Sequence, residues 1–361
     1  MDAFNTIAHF LIILGLTIAL IAVLVAFVFR VAKKIVKYFA LARHSANPVL
    51  SPPPFSDWEA IGTFNPAAVQ DDEGNVHIVY RALGADGMSR FGYARSSDGV
   101  SFGDKSPYAI YVMQNPRNGK AQRFDPMMYP SGGSWGGSED PRMVRLDGRI
   151  YLSFSAFDGW DYIRIAVSSI DERDFFNKKW NWTAPLLISS PASISKNWVI
   201  FPEKFNGKFA ILHGIAPAIL IDYVDNIDHL TRPIVSERPQ GSQPGRKDSW
   251  DNWLRGAGPP PIKTDRGWLL LYHATTNGDG RYKLGAMLLD LNDPTIITHR
   301  SPGPILTPEE WYENEWKAGV IFATGAVVRG PDLYVYYGGG DKHICVAHTP
   351  LEELLNSLEM V

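Results

Sequence analysis

The chain has 361 residues, of which 45% are hydrophobic and 12% aromatic, enough for a large buried core. Its formal charge of −3 leaves no basic footprint, which excludes nucleic acid as a partner. The single cysteine, Cys345, excludes a disulfide framework, and no His/Cys/Asp/Glu cluster has metal-ligand spacing, so no metal is expected.

From Phe10 to Phe29 the residues are apolar apart from Gly15 and Thr17, a length that crosses a bilayer as a helix. Asp2 precedes this run, whereas Arg30, Lys33, Lys34, Lys37 and Arg43 follow it, the reverse of a cleavable signal peptide. The positive-inside rule then puts the N-terminus outside and everything beyond Arg30 in the cytoplasm. The sequence therefore predicts a tail over 1–9, a transmembrane helix over 10–30 and a basic juxtamembrane segment and linker over 31–54. The expected localisation is a single-pass membrane protein, its basic segment lying on anionic inner-leaflet lipid.

Beyond residue 54 one short pattern recurs five times, as Glu73–Arg81, Asp147–Ser155, Asn206–Gly214, Asp265–His273 and Pro331–Gly338. Each copy is a turn signal followed by a β-branched and aromatic run of strand length. The copies lie roughly 60–75 residues apart, a spacing that suits four-stranded blades with insertions. The sequence thus predicts an all-β, five-bladed β-propeller as the catalytic domain over 55–361. A second element precedes each copy: Asn65–Val69, Glu139–Met143, Phe201–Phe205, Gly258–Ile262 and Thr324–Val328. These are the expected innermost strands, ringing one mouth of the central channel.

The sharpest motif is Ser138-Glu139-Asp140-Pro141-Arg142, two carboxylates and a guanidinium within five residues, preceded by the glycine-rich stretch Gly132–Gly137. A carboxyl that protonates a departing oxygen needs shielding and neighbours that tune its pKa, and Asp140 beside Glu139 and Arg142 is so placed. A turn carboxylate paired with its own arginine accounts for the motif equally well. Arg81, Lys204 and His273 are expected at the same mouth, with Glu203 a second carboxylate, Tyr272 a hydroxyl and Asp341 closing the ring. Such a set suits a polar or anionic ligand.

Ser138–Arg142, Phe201–Lys204, Gly256–Lys263 with Gly267–His273, and Tyr336–Asp341 resemble glycoside hydrolase family 130, as do Asn47–Pro52 and Gly62–Ala68. The resemblance runs from about Asn47 to the C-terminus. It implies a five-bladed propeller acting on β-mannosides with inversion, by phosphorolysis to mannose 1-phosphate or by hydrolysis to mannose. It further implies that Asp140 is the general acid, in the phosphorylases through the sugar's O3 hydroxyl. Asp341 and Arg81, with Glu139 and Arg142, would bind substrate, and Lys204, His273 and Tyr272 would bind phosphate. No cofactor is implied, only inorganic phosphate as co-substrate.

One departure stands out: phosphorylases of this kind carry arginine after the histidine of the third repeat, whereas this chain has His213-Gly214. An arginine fork is the best supplier of phosphate hydrogen bonds, so its loss favours water as nucleophile. Inverting hydrolysis then needs a carboxylate base, for which Glu203 is the candidate. Two further readings stay open: a mannosyltransferase on the same scaffold, and a carbohydrate-binding propeller without catalysis.

Overall fold

The computed structural model describes residues 14–21, 23, 39–113, 134, 136–157, 163–191, 194–236 and 243–361. The chain divides into Met1–Tyr38 and a compact unit, Phe39–Val361. In the first, residues 14–21 and 23 are helical, and the rest of the segments expected over 1–38 lies outside the described residues. Among the described residues no helix is long and apolar enough to cross a membrane. The expected transmembrane helix, single-pass localisation and membrane partner are corrected accordingly.

In the compact unit each repeat forms the middle strand of a three-stranded antiparallel meander. Meander 1 is Gly62–Gln70, Val76–Leu83 and Met88–Ser96, and meander 2 is Gly136–Leu146, Arg149–Phe157 and Ile163–Asp171. Meander 3 is Val199–Phe205, Lys208–Gly214 and Leu220–Val224, and meander 4 is Trp253–Ala257, Gly267–Thr275 and Lys283–Leu289. Meander 5 is Ile321–Arg329, Asp332–Gly339 and His343–Pro350. Short strands extend several of them.

Five separate blades are not what the hydrogen bonds give, and the expected five-bladed propeller is corrected to four sheets of eight, seven, four and three strands. Meanders 1 and 2 fuse into the eight-stranded sheet through a parallel bridge, Met88 opposite Gly136 and Ser89 opposite Gly137. Glycine makes that approach possible. Gly137 has φ +105°, and a Cβ there would sit 2.1 Å from the Ser89 carbonyl oxygen.

The repeats read as continuous apolar runs because both faces of each middle strand are covered. In Gly267–Thr275, Leu270, Tyr272 and Ala274 face a core shared with meander 3, while Leu269 and Leu271 face one shared with meander 5. The same alternation builds cores between meanders 1 and 2, 2 and 3, and 5 and 1, so the packing closes on itself.

The segment expected as a linker is laid along the third strand of meander 5. Val346 donates its N–H to Asn47 Oδ1 and accepts from Asn47 Nδ2, both at 2.8 Å, while Leu50 bridges Ile344. Arg43 reaches Glu313, its Nε 2.8 Å from Oε1.

Candidate active site

The first strand of every meander carries a β-bulge, between Phe64 and Ala67, Glu139 and Arg142, Ile200 and Lys204, Leu254 and Gly256, and Ala323 and Gly325. A bulge drops residues out of the ladder and re-aims their side chains. Asn65 and Asp140 sit in the first two, each at left-handed φ (+49° and +51°) and each followed by proline. Asn and Asp tolerate that region best, and a bulge is one of the few strand positions open to proline. Gly338 makes room for Asn65, since a Cβ there would lie 2.0 Å from Asn65 Oδ1.

These bulges build a buried polar cluster. Arg81 donates from Nη1 to Asp140 Oδ1 at 3.0 Å, from Nη2 to Glu139 Oε1 at 2.8 Å and from Nε to Ser89 at 2.9 Å. Asn65 Nδ2 donates to the same Asp140 oxygen at 2.8 Å, and Ser134 donates to Glu139. Lys196 lies 3.6 Å from Glu139 Oε2, and Lys317 lies 3.5 Å from Asp341. Arg255 Nε donates to Tyr282 Oη at 2.7 Å. The His273 ring stacks on Phe322, with centroids 4.2 Å apart and planes 6° apart.

The electrostatics follow from burial against charge. Burial pushes Asp140 up, but Arg81, Lys196, Arg142 and the Asn65 hydrogen bond outweigh it and hold the carboxyl at about 2. Asp341 is raised instead: burial dominates, and the Asp140 charge adds to it against Lys317 and Arg81. The two carboxyls therefore split, one ionised and one inclined to keep its proton. Burial and the Arg142 charge push His273 down to about 3, so its imidazole is neutral. Its Nε2 accepts the Ala323 N–H at 2.9 Å, which puts the ring hydrogen on Nδ1. That buried Nδ1–H has no acceptor among the described residues.

Of the residues singled out from sequence, Arg81, Glu139, Asp140, Arg142, His273 and Asp341 come together here. Lys204 and Glu203 do not. Lys204 pairs at 2.6 Å with Asp147, in the turn that ends the strand bearing Asp140. Seven residues of strand separate that turn from Asp140, about 20 Å. Glu203 is ion-paired with Lys263, which lies opposite Trp268, five residues or about 17 Å along the strand from His273. The cause is the third bulge, which holds two extra residues where the others hold one, and turns the buried Phe201 into the core. Tyr272 alternates with His273 and points into the core instead, donating to the buried Asp251 at 2.8 Å.

Sequence reasoning missed Asn65 as a partner of Asp140, and missed Lys196, Asn197, Arg255, Tyr282 and Lys317 altogether. Asn65 stood in a quoted strand start, and Arg255 occupies the fourth bulge, one residue ahead of the quoted Gly256. Lys196 and Asn197 lie before a strand, where no periodicity marks them. Among the described residues no group of three or more His, Cys, Asp or Glu is placed to hold a metal.

A family model described as beta-1,4-mannooligosaccharide phosphorylase, that of glycoside hydrolase family 130, matches residues 41–360. The chain belongs to glycoside hydrolase family 130. A 1,2-beta-oligomannan phosphorylase from Thermoanaerobacter sp. (strain X514) is 34% identical over 87% of this chain and 98% of its own length. A Beta-1,2-mannobiose phosphorylase from the same strain is 32% identical over 86% of this chain and 97% of its own. The structure of the Beta-1,2-mannobiose phosphorylase from Listeria innocua, solved with β-1,2-mannobiose, superposes with TM-score 0.66 at 24% identity, covering 88% of this chain and 98% of that one. This family 130 protein is an enzyme that cleaves β-mannosidic bonds, as the sequence motifs implied.

Proposed function

We propose that the enzyme is an inverting β-1,2-mannoside phosphorylase, releasing mannose 1-phosphate. The observation that carries this reading is charge. Around Asp140 the described side chains include five cations (Arg81, Arg142, Lys196, Arg255 and Lys317) against three carboxylates (Glu139, Asp140 and Asp341). Cations gathered at a largely buried site suit a hydrogenphosphate dianion, and the neutral Nδ1–H of His273 adds a fixed donor. Arg255 and Lys196 supply charge that Gly214 cannot. A side chain at Gly214 would also meet Leu220 at 2.9 Å. Hydrolysis loses its candidate base, since Glu203 is held by Lys263 at another end of the strands. The relatives named for β-1,2 linkages, at 32–34% identity, support that linkage.

In this mechanism phosphate oxygen attacks the anomeric carbon from the face opposite the leaving sugar. The bond from that carbon to the glycosidic oxygen breaks, and the proton of Asp140 ends on the departing hydroxyl. The hydrogen of hydrogenphosphate restores the acid. Asp140 is ionised in the empty pocket, and a phosphate dianion among Arg142, Lys196 and Arg255 offsets the cations that keep it so, raising its pKa as the reactants assemble. Asp341 and Arg81 hold the mannosyl unit, and residues 55–361 make up the catalytic part. The test is cleavage of β-1,2-mannobiose with and without phosphate. Mannose 1-phosphate formed only when phosphate is present is the expected product, and free mannose at a rate indifferent to phosphate would refute the reading.

A further inference from the structure

Arg142 was expected to bind substrate, yet each of its three side-chain nitrogens donates to a neutral acceptor of the protein. Nη1 donates to the backbone oxygen of Asp140 at 2.8 Å, and Nε to that of Gly258 at 2.9 Å. Nη2 donates to Asn197 Oδ1 at 2.9 Å and to the Ala257 oxygen at 3.2 Å. Asn197 continues the chain, its Nδ2 donating to the Arg255 oxygen at 2.8 Å. Gly256, at φ +124°, admits that amide, because a Cβ there would lie 2.8 Å from Asn197 Nδ2. Arg142 also lies over the Phe322 ring, 5.9 Å from its centroid, and Phe322 in turn carries His273.

We propose that Arg142 is a positioning residue that never touches the sugar: through Asn197 it ties the bulge bearing Asp140 to the bulge bearing Arg255, and so sets the acid and the phosphate site in register. The inference rests on the phosphorolysis reading. A guanidinium is needed because its planar fork reaches three backbone oxygens and an amide at once, which an ammonium does not. A buried guanidinium bonded only to neutral groups also leaves its charge to act on what enters the pocket, and burial lowers its pKa to about 10. Its two contributions, tether and charge, are separable.

The experiment compares Arg142→Lys, which keeps the charge and loses the fork, with Arg142→Gln, which loses both. Folding is monitored by thermal melting. Arg142→Lys is expected to raise the KM for phosphate about tenfold or more, lower kcat about tenfold and leave the KM for mannobiose within about threefold. The general acid must be protonated, so activity is lost as pH rises through its pKa. Removing a neighbouring cation raises that pKa, so Arg142→Gln shifts the basic limb of the profile to higher pH and Arg142→Lys does not. An unchanged KM for phosphate, an equal rise for both substrates, or coincident pH profiles for the two variants would overturn the inference. If neither variant folds, Asn197→Ala breaks the Arg255 tether alone and is expected to raise the KM for phosphate with the basic limb unmoved; no rise overturns the tether. Wild-type cleavage that ignores phosphate would fail the phosphorolysis reading itself, a result distinct from a phosphate-dependent wild type with normal variants.

Discussion

Replacing Asp140 by asparagine removes one proton donor and little else, which makes it the sharpest test of the acid. The amide oxygen still accepts from Asn65 Nδ2 and Arg81 Nη1, and Arg81 keeps Glu139 at 2.8 Å, so no buried charge is orphaned. The stability cost is the lost preference for the charged form. Asp140 is held at about 2 against an ordinary 3.8, on the order of 2 kcal/mol at neutral pH. That lowers Tm by less than about 10 °C in a domain of this size. The kinetic cost is larger: a positioned general acid contributes about 10²–10⁴-fold, or roughly 3–5 kcal/mol of barrier. The assay compares β-1,2-mannobiose with a dinitrophenyl β-mannoside, whose leaving group departs without a proton. The variant is expected to lose two to four decades of kcat/KM on the disaccharide and less than about tenfold on the activated substrate. Equal losses on both, in a folded variant, would refute the assignment of Asp140 as acid.

Three further outcomes follow from the geometry. Glu203→Gln and Lys204→Ala, at half-exposed ion pairs remote from Asp140, should change the KM for phosphate less than about twofold and stability by under about 1 kcal/mol, checked by steady-state kinetics and melting. His273 is held neutral down to about 3 in the folded protein, whereas its unfolded value is 6.5, so between these the unfolded chain binds the extra proton. Stability therefore falls with falling pH across that window, at up to about 1.4 kcal/mol per unit, and His273→Gln should flatten the curve of Tm against pH between 6 and 4 relative to wild type. Gly338→Ala places a Cβ on Asn65 and should cost about 1–3 kcal/mol of stability together with activity; a variant as active and stable as wild type would contradict the packing of that amide.

The strands were legible because Asp265–His273 and its four counterparts are each a turn signal followed by a mostly apolar run, a signal that buried β-strands carry in their composition. How they join was not. The fusion of meanders 1 and 2 rests on one glycine, Gly137, lying close to Ser89, and nothing in a single sequence pairs those two positions. Within the site, Asp140 and Arg142 were readable from a dense polar motif. Lys204 misled because aligning strand starts assumes equal bulges, and the third strand inserts two residues where the others insert one. Arg255 and Tyr282 were invisible for the converse reason, being single polar residues, one in a bulge and one just before a strand, that acquire meaning only once Asp140 lies nearby. The apolar N-terminal run misled through length alone, since twenty apolar residues satisfy a hydropathy criterion whatever they fold into.

The five bulges have a consequence for how this enzyme can change. A residue in a bulge makes no ladder bond, so its identity is uncoupled from the sheet that carries it. Asn65, Asp140, Arg255 and Thr324 thus occupy equivalent sockets, and a substitution in one alters the chemistry of the pocket while the neighbouring strand pairing stays as it is. Substrate preference can then drift socket by socket, within the residue types that the left-handed φ of Asn65 and Asp140 admits. Only the third socket, filled by the buried Phe201, is committed to the core, and there the same freedom is closed.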